Sequence, residues 1–238
     1  MRIIIDAVID NDDLPVINPA AGLLSPTLLA GYKMLSNQDF SGNGNHFTWS
    51  GSFDGVGAVL ANDASHIITT PVMERDNMTV IICQEIPSSS PPASILNNLN
   101  LSGNPYQGVR LTKSGAAGLT NGQFDVAKNT NAITSVNVDI NNGWMIKAYT
   151  WNNSNLRIIQ HAGGYTDFAL TSRTKGTSNP FRLNGIPSNI GGGSITSGAA
   201  SGHLGTVLFY NEYMDVSKAV VYMDIVSQVM AARGVTGL

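Results

Sequence analysis

From Phe47 onward, apolar residues come in short runs separated by clusters of Gly, Asn, Ser and Pro. Runs of this length with turn residues between them predict β-strands, not alternating strand and helix units. The predicted strands are Phe47–Ser50, Ala58–Leu60, Ile67–Thr70, Met78–Glu85, Gly108–Leu111, Phe124–Ala127, Ile133–Asp139, Trp144–Trp151, Asn155–Ala162, Phe181–Leu183 and Gly205–Tyr210. The clearest alternation puts Trp144, Ile146, Ala148 and Thr150 on one face and Met145, Lys147, Tyr149 and Trp151 on the other. Because Lys147 shares its face with Tyr149 and Trp151, that face is expected to be partly wet. The period changes near the C-terminus, where apolar residues at 216, 219, 220, 223, 226 and 230 follow helical spacing. Asp215 is suited to cap this helix, Gly234 to follow it, and Arg233 to sit at its negative end, so one helix over Val216–Arg233 is predicted to pack on the strands.

Ahead of the regular strands the pattern is weaker. Arg2–Ile9 reads as a short strand of mixed faces, ended by Asn11-Asp12-Asp13. Leu14–Ser36 scatters Pro15, Pro19 and Pro26 among apolar residues, and Ser25–Ala30 can start one helical turn. Such a segment cannot bury its own apolar side chains. Residues 1–32 are therefore expected to form an N-terminal arm, laid across the sandwich of residues 33–238 or inserted into a neighbouring subunit.

The segment Asp39-Phe40-Ser41-Gly42-Asn43-Gly44-Asn45-His46-Phe47-Thr48 has strong turn chemistry. Asp, Ser and Asn side chains bond nearby backbone groups, and Gly and Asn accept positive φ. This D-x-S-G-N-G-N-H turn is followed in order by Asn77–Ile86, by the hairpin from Asn142-Gly143-Trp144 to Ile158-Ile159, and by Gly202–Asn211. Together these resemble the concanavalin A-like lectin/glucanase superfamily, in its laminin-G-like form found in bacteriophage virion proteins. The resemblance implies an all-β fold: a two-sheet antiparallel jelly-roll sandwich with an N-terminal arm and one C-terminal helix.

Composition narrows the function. The 238 residues carry a formal charge of −3 with only 12% charged, and Lys and Arg form no cluster, which argues against a nucleic-acid partner. Cys83 is the only cysteine, so no intrachain disulfide can form, and its apolar strand suggests a buried thiol. The apolar run at the N-terminus is broken by Asp6 and Asp10, too short for a signal-peptide core or a membrane span. The expectation is a protein made in a host cytoplasm and carried on a virion, associating with other virion subunits through its arm and forming a homo-oligomer.

A glycosidase needs two carboxyl groups flanking the scissile bond. The glutamates are Glu74, Glu85 and Glu212, none opens the E-x-D-x-x-E pattern of the related glucanases, and Glu74-Arg75-Asp76 reads as a solvated turn. His46, His66, His161 and His203 lack zinc-ligand spacing, and no G-x-S-x-G elbow occurs. Gly185–Gly202 lacks the Lys-Ser/Thr ending of a phosphate loop and reads as a long loop. No cofactor is required, although Asn62-Asp63 and Asp139–Asn142 have the oxygen ligands that calcium uses. Sugar sites pair an aromatic ring with Asn, Asp or backbone groups, and two segments offer this: Trp151 with Asn152 and Asn153, and Trp49 with Asn45 and His46. The sequence thus points to a non-enzymatic virion protein whose lectin-like domain contacts host surface glycan. A purely structural decoration or assembly subunit and a glycan hydrolase remain the alternatives.

Overall fold

The computed structural model describes residues 19–113, 121–140, 143–185 and 198–238. These form two antiparallel sheets and a C-terminal helix, the jelly-roll sandwich expected. The strands are β1 (Leu28–Tyr32), β2 (Ala58–Leu60), β3 (Ile68–Thr69), β4 (Met78–Glu85), β5 (Ala93–Asn97), β6 (Val109–Lys113), β7 (Asn121–Ala127), β8 (Ile133–Asp139), β9 (Trp144–Trp151), β10 (Asn155–Gln160), β11 (Tyr165–Ala169), β12 (Arg182–Leu183) and β13 (Gly202–Tyr210), followed by α1 (Val216–Ala231). One sheet runs β1-β13-β4-β9-β10-β11, with β2 also on β13; the other runs β3-β12-β5-β6-β7-β8.

The first sheet is apolar on both faces because each face has its own cover. Met78, Val80 and Ile82 of β4, Tyr149 and Trp151 of β9, and Val207 and Phe209 of β13 point between the sheets. Ile81, Cys83, Ile146, Ala148, Ile159, Leu208 and Tyr210 point the other way, onto Ala219, Met223, Val226 and Met230 of α1. Asp215 caps the helix by accepting from Lys218 N–H at 2.8 Å, and Gly234 turns the chain at φ +87. Arg233 does not serve the helix end as expected, since its guanidinium donates to the carbonyls of Lys33 and Val56.

Aromatic rings join the sheets across the core. Phe124 stacks on Tyr149 at 5.5 Å and lies 5.6 Å from Trp151, which meets Phe181 edge-on; Phe181 in turn lies 5.3 Å from Phe209. Contacts of this kind contribute about 0.5–1.5 kcal/mol each beyond area burial. The β8 edge shows the simpler half-buried pattern, with Val136 and Val138 inward and Ser135, Asn137 and Asp139 exposed.

Several expectations are corrected. The face of β9 that holds Lys147 is the sandwich interior, not a wet surface. Lys147 is only 2% exposed, and its ammonium donates to the Asp139 carbonyl. Its alkyl stem is as apolar as its neighbours, so only the tip needs a polar partner. Ser25–Ala30 does not open a helix. A turn at Pro26-Thr27 leads into β1, which pairs with β13. Residues 19–32 therefore belong to the sandwich, with Leu23 and Ala20 packed with α1; residues 1–18 lie outside the described residues, as does most of the Gly185–Gly202 loop. Phe47–Ser50 reduces to one bridge between Thr48 and Thr69, while β5 and β11 were not anticipated.

Glu74 departs furthest from expectation. It is 3% exposed, and its carboxylate collects four donors from distant parts of the chain. Oε1 accepts from Trp151 Nε1 at 2.8 Å and from Arg173 Nη2; Oε2 accepts from Asn98 Nδ2 at 3.0 Å and Gly176 N at 2.6 Å. A Cβ on Gly176 would fall 2.3 Å from Asn98 Nδ2, so only glycine fits there.

Glu74→Gln keeps the shape but leaves the Arg173 guanidinium buried without its counter-charge, and removing one partner of a buried pair costs about 3–5 kcal/mol. The expected result is a lower urea midpoint at unchanged m-value; a variant as stable as the parent would show that the pair is not needed. Burial also pushes the Cys83 thiol up to about 12. Cys83 is therefore expected to resist Ellman's reagent at pH 8 in the folded protein and to react fully in urea.

Candidate functional site

The structure spends most of the expected sugar-binding residues on folding. Trp151 is 0% exposed, lies close to Phe124 and Phe181, and gives its N–H to Glu74, so neither ring face can receive a sugar. It stands on the inner face of β9, where alternation and the second sheet bury it. Asn152 uses Oδ1 to accept from Ser154 and Asn155 N–H, both at 2.8 Å, which turns β9 into β10. Asn153 accepts from Arg173 Nη1 at 2.8 Å. Trp49 is 7% exposed and meets Phe53 edge-on at 4.9 Å, so it closes one end of the core.

Asn45 and His46 belong to a turn organised by Asp39. The Asp39 carboxylate accepts from the N–H groups of Gly31, Ser41 and Asn45, and Asp39 N–H donates to His46 Nδ1 at 3.0 Å. Asn45 Nδ2 donates to the Leu29 carbonyl at 2.7 Å, fixing the turn to β1. These bonds explain the D-x-S-G-N-G-N-H spelling and leave the side chains little to offer a ligand. For calcium, Asp63 instead accepts from Ser65 N–H as a cap, and the Ser65 hydroxyl and His66 hold its pKa down at about 2. Among the described residues no group of three His, Cys, Asp or Glu is placed to hold a metal ion, and Asn141 and Asn142 lie outside them.

A different tryptophan carries the candidate site. Trp144 opens β9 on the face opposite Trp151, packed against the helix-side core, and is half-buried. In register it stands opposite Glu85 of β4, which stands opposite His203 of β13. Directly opposed residues share a face, so the three side chains form a row across three strands. Gly205 makes room for this arrangement, because a Cβ there would come 2.5 Å from Met230 Cε and 3.0 Å from the Trp144 ring.

The row is held from both sides. His203 stacks on Trp144 with centroids 5.9 Å apart, and its two nitrogens reach Glu85 Oε2 at 3.2 Å and Asp54 Oδ2 at 3.1 Å. Asp54 is fixed in turn by the N–H groups of Val56 and Gly57. Burial would raise its pKa, but the Gly57 and Val56 N–H groups and His203 outweigh this and hold it below the ordinary carboxylate value. Beside Trp144 an open cleft of about 190 Å³ is lined by Ile146, Gln160, His161, Ala162 and Leu238 among others, and His161 Nε2 contacts Asp224 Oδ1 at 2.9 Å.

An indole flanked by an amide, imidazoles and carboxylates can cover the C–H face of a pyranose and bond its hydroxyls. Sequence reasoning passed over Trp144, although the signal was present. It opens a strand right after Gly143, and alternation places it opposite the face of Trp151. Further along the outer face, Arg157 is held by Asp167 and lies over the ring of Tyr165, which is 55% exposed, at 4.8 Å.

No family model matches the chain, and no curated protein matches it. Solved structures do. The botulinum neurotoxin type G receptor-binding domain superposes with a TM-score of 0.63 at 13% identity, over 84% of this chain and 51% of that one. A type C structure, described as showing cell entry dependent on interaction with two ganglioside molecules, gives 0.58 at 12%, over 87% and 53%. The binding domain of neurotoxin DC in complex with SialylT gives 0.56 at 12%, over 84% and 51%. The chain spans about half the length of these structures, and at such identities the likeness establishes the fold alone: a two-sheet β-sandwich.

Proposed function

We propose that this chain is a non-enzymatic recognition module whose lectin-like sandwich holds a surface glycan in the cleft beside Trp144. The observation that carries this reading is the half-buried indole of Trp144, fixed between the His203–Glu85 pair and the cleft of Gln160 and His161. Structural neighbours described with ganglioside or SialylT support the choice of carbohydrate as ligand class. The reading assigns no bond-making or bond-breaking step to the protein.

The setting we propose is a bacteriophage particle, on the strength of the sparsely charged, Asn-rich composition with its single cysteine and of the sequence resemblance described above. In that setting the partners are host surface polysaccharide and fellow virion subunits.

The test is binding of labelled protein to intact bacterial envelopes, competed with free surface polysaccharide. Trp144→Ala is expected to weaken binding about tenfold or more, as truncation of a central aromatic contact does. Its melting temperature should shift little, because the ring sits at the rim of the core. Saturable binding that ignores Trp144→Ala would move the site elsewhere, and no binding by folded protein would remove the glycan reading.

A further inference from the structure

The carboxylates around Trp144 bear on which glycan the cleft can take. Glu85 and Asp54 flank His203 on one side, and Asp224 holds His161 on the other. With both imidazoles neutral this cluster carries a charge of −3, and with both protonated it still carries −1. The sign of the local field is therefore independent of the histidine protonation states.

The nearby cations do not offset it. Lys147 lines the cleft, but its ammonium turns into the sandwich and donates to the Asp139 carbonyl. Arg233, at the end of α1, commits its guanidinium to the Lys33 and Val56 carbonyls and to Met230 Sδ. Neither is aimed at an incoming ligand. A site that receives a carboxylated sugar needs a fork of donors with positive charge, for which arginine is the usual residue. Here the cleft lining itself offers Gln160 and His161 to the hydroxyl groups of an uncharged sugar, while the carboxylates stand one contact behind, Asp224 on His161 and Glu85 and Asp54 on the His203 stacked against Trp144, where their negative field repels an anion.

We infer that the Trp144 cleft selects neutral glycans and excludes those bearing carboxylates, such as sialylated or uronic-acid polymers. This inference rests on the glycan reading above and adds the ligand's charge class. It also sets the site apart from the sialylated ligand that one structural neighbour is described with.

The experiment uses the full chain with immobilised dextran and galactomannan as neutral probes and polysialic acid and alginate as acidic ones, at low and at 0.3 M salt. Binding to at least one neutral probe is expected to be saturable and to fall about tenfold in Trp144→Ala. The acidic probes should bind at least tenfold more weakly at low salt, with the gap narrowing at 0.3 M because salt screens repulsion between exposed charges. Glu85→Gln and Asp54→Asn, checked for unchanged melting, should each raise acidic binding severalfold. Acidic probes bound as tightly as neutral ones through Trp144 would overturn the charge selection and leave glycan recognition standing. Failure of every probe with folded protein would overturn both.

Discussion

A carboxylate buried without partners costs several kcal/mol or gives up its charge, and Glu74 shows how this fold keeps one in its core. Its two oxygens accept from the Trp151 indole, the Arg173 guanidinium, the Asn98 amide and the Gly176 backbone. The donors come from the end of β9, from the segment between β5 and β6, and from the long connection between β11 and β12. One charge thereby fixes three loops at the same end of the core. The arrangement tolerates no side chain at position 176 and orients Trp151 inward. The same bond that makes Trp151 a structural residue disqualifies it as a sugar platform.

The other organising constraint is that the larger sheet must be covered twice. The second sheet takes one face and α1 takes the other, with Met223, Val226 and Met230 on Ile81, Ile146 and Leu208. A helix of 16 residues spans about 24 Å by its 1.5 Å rise per residue, and its last turn brings Met230 beside Gly205 and the Trp144 ring. Trp144, Glu85 and His203 stand in a row at this end of the sheet, each half-buried, with Trp144 packed against the helix-side core. Their positions are held by the strands beneath, and a cleft lies open beside Trp144. Rigid strands carrying exposed polar groups provide the pre-organisation that a shallow binding site needs.

Much of this architecture is legible in the chain. β2, β4, β8 and β9 begin and end where alternation and turn residues place them, and Asp215 starts the helix, because each of these depends on residues within a few positions of one another. The Asp39–His46 turn is likewise local, since Asp39 bonds the backbone of Ser41 and Asn45. Elements without such signals were missed. β1 is held by pairing with β13, more than 170 residues later, and β11 by pairing with β10 although its own residues stay largely exposed.

Short-range periodicity and backbone preference specify most strands, the capped helix and the turn chemistry, and the resemblance carried by four ordered motifs implied the sandwich they build. Which face of each strand is interior depends on packing between distant parts of the chain. That packing placed Lys147 in the core, Glu74 beneath the loops, Trp151 against Phe124 and Trp144 at the rim. Alternation states that two sets of side chains face opposite ways, but not which way is in. That choice follows from what packs on each face, and the covering residues lie far away along the chain.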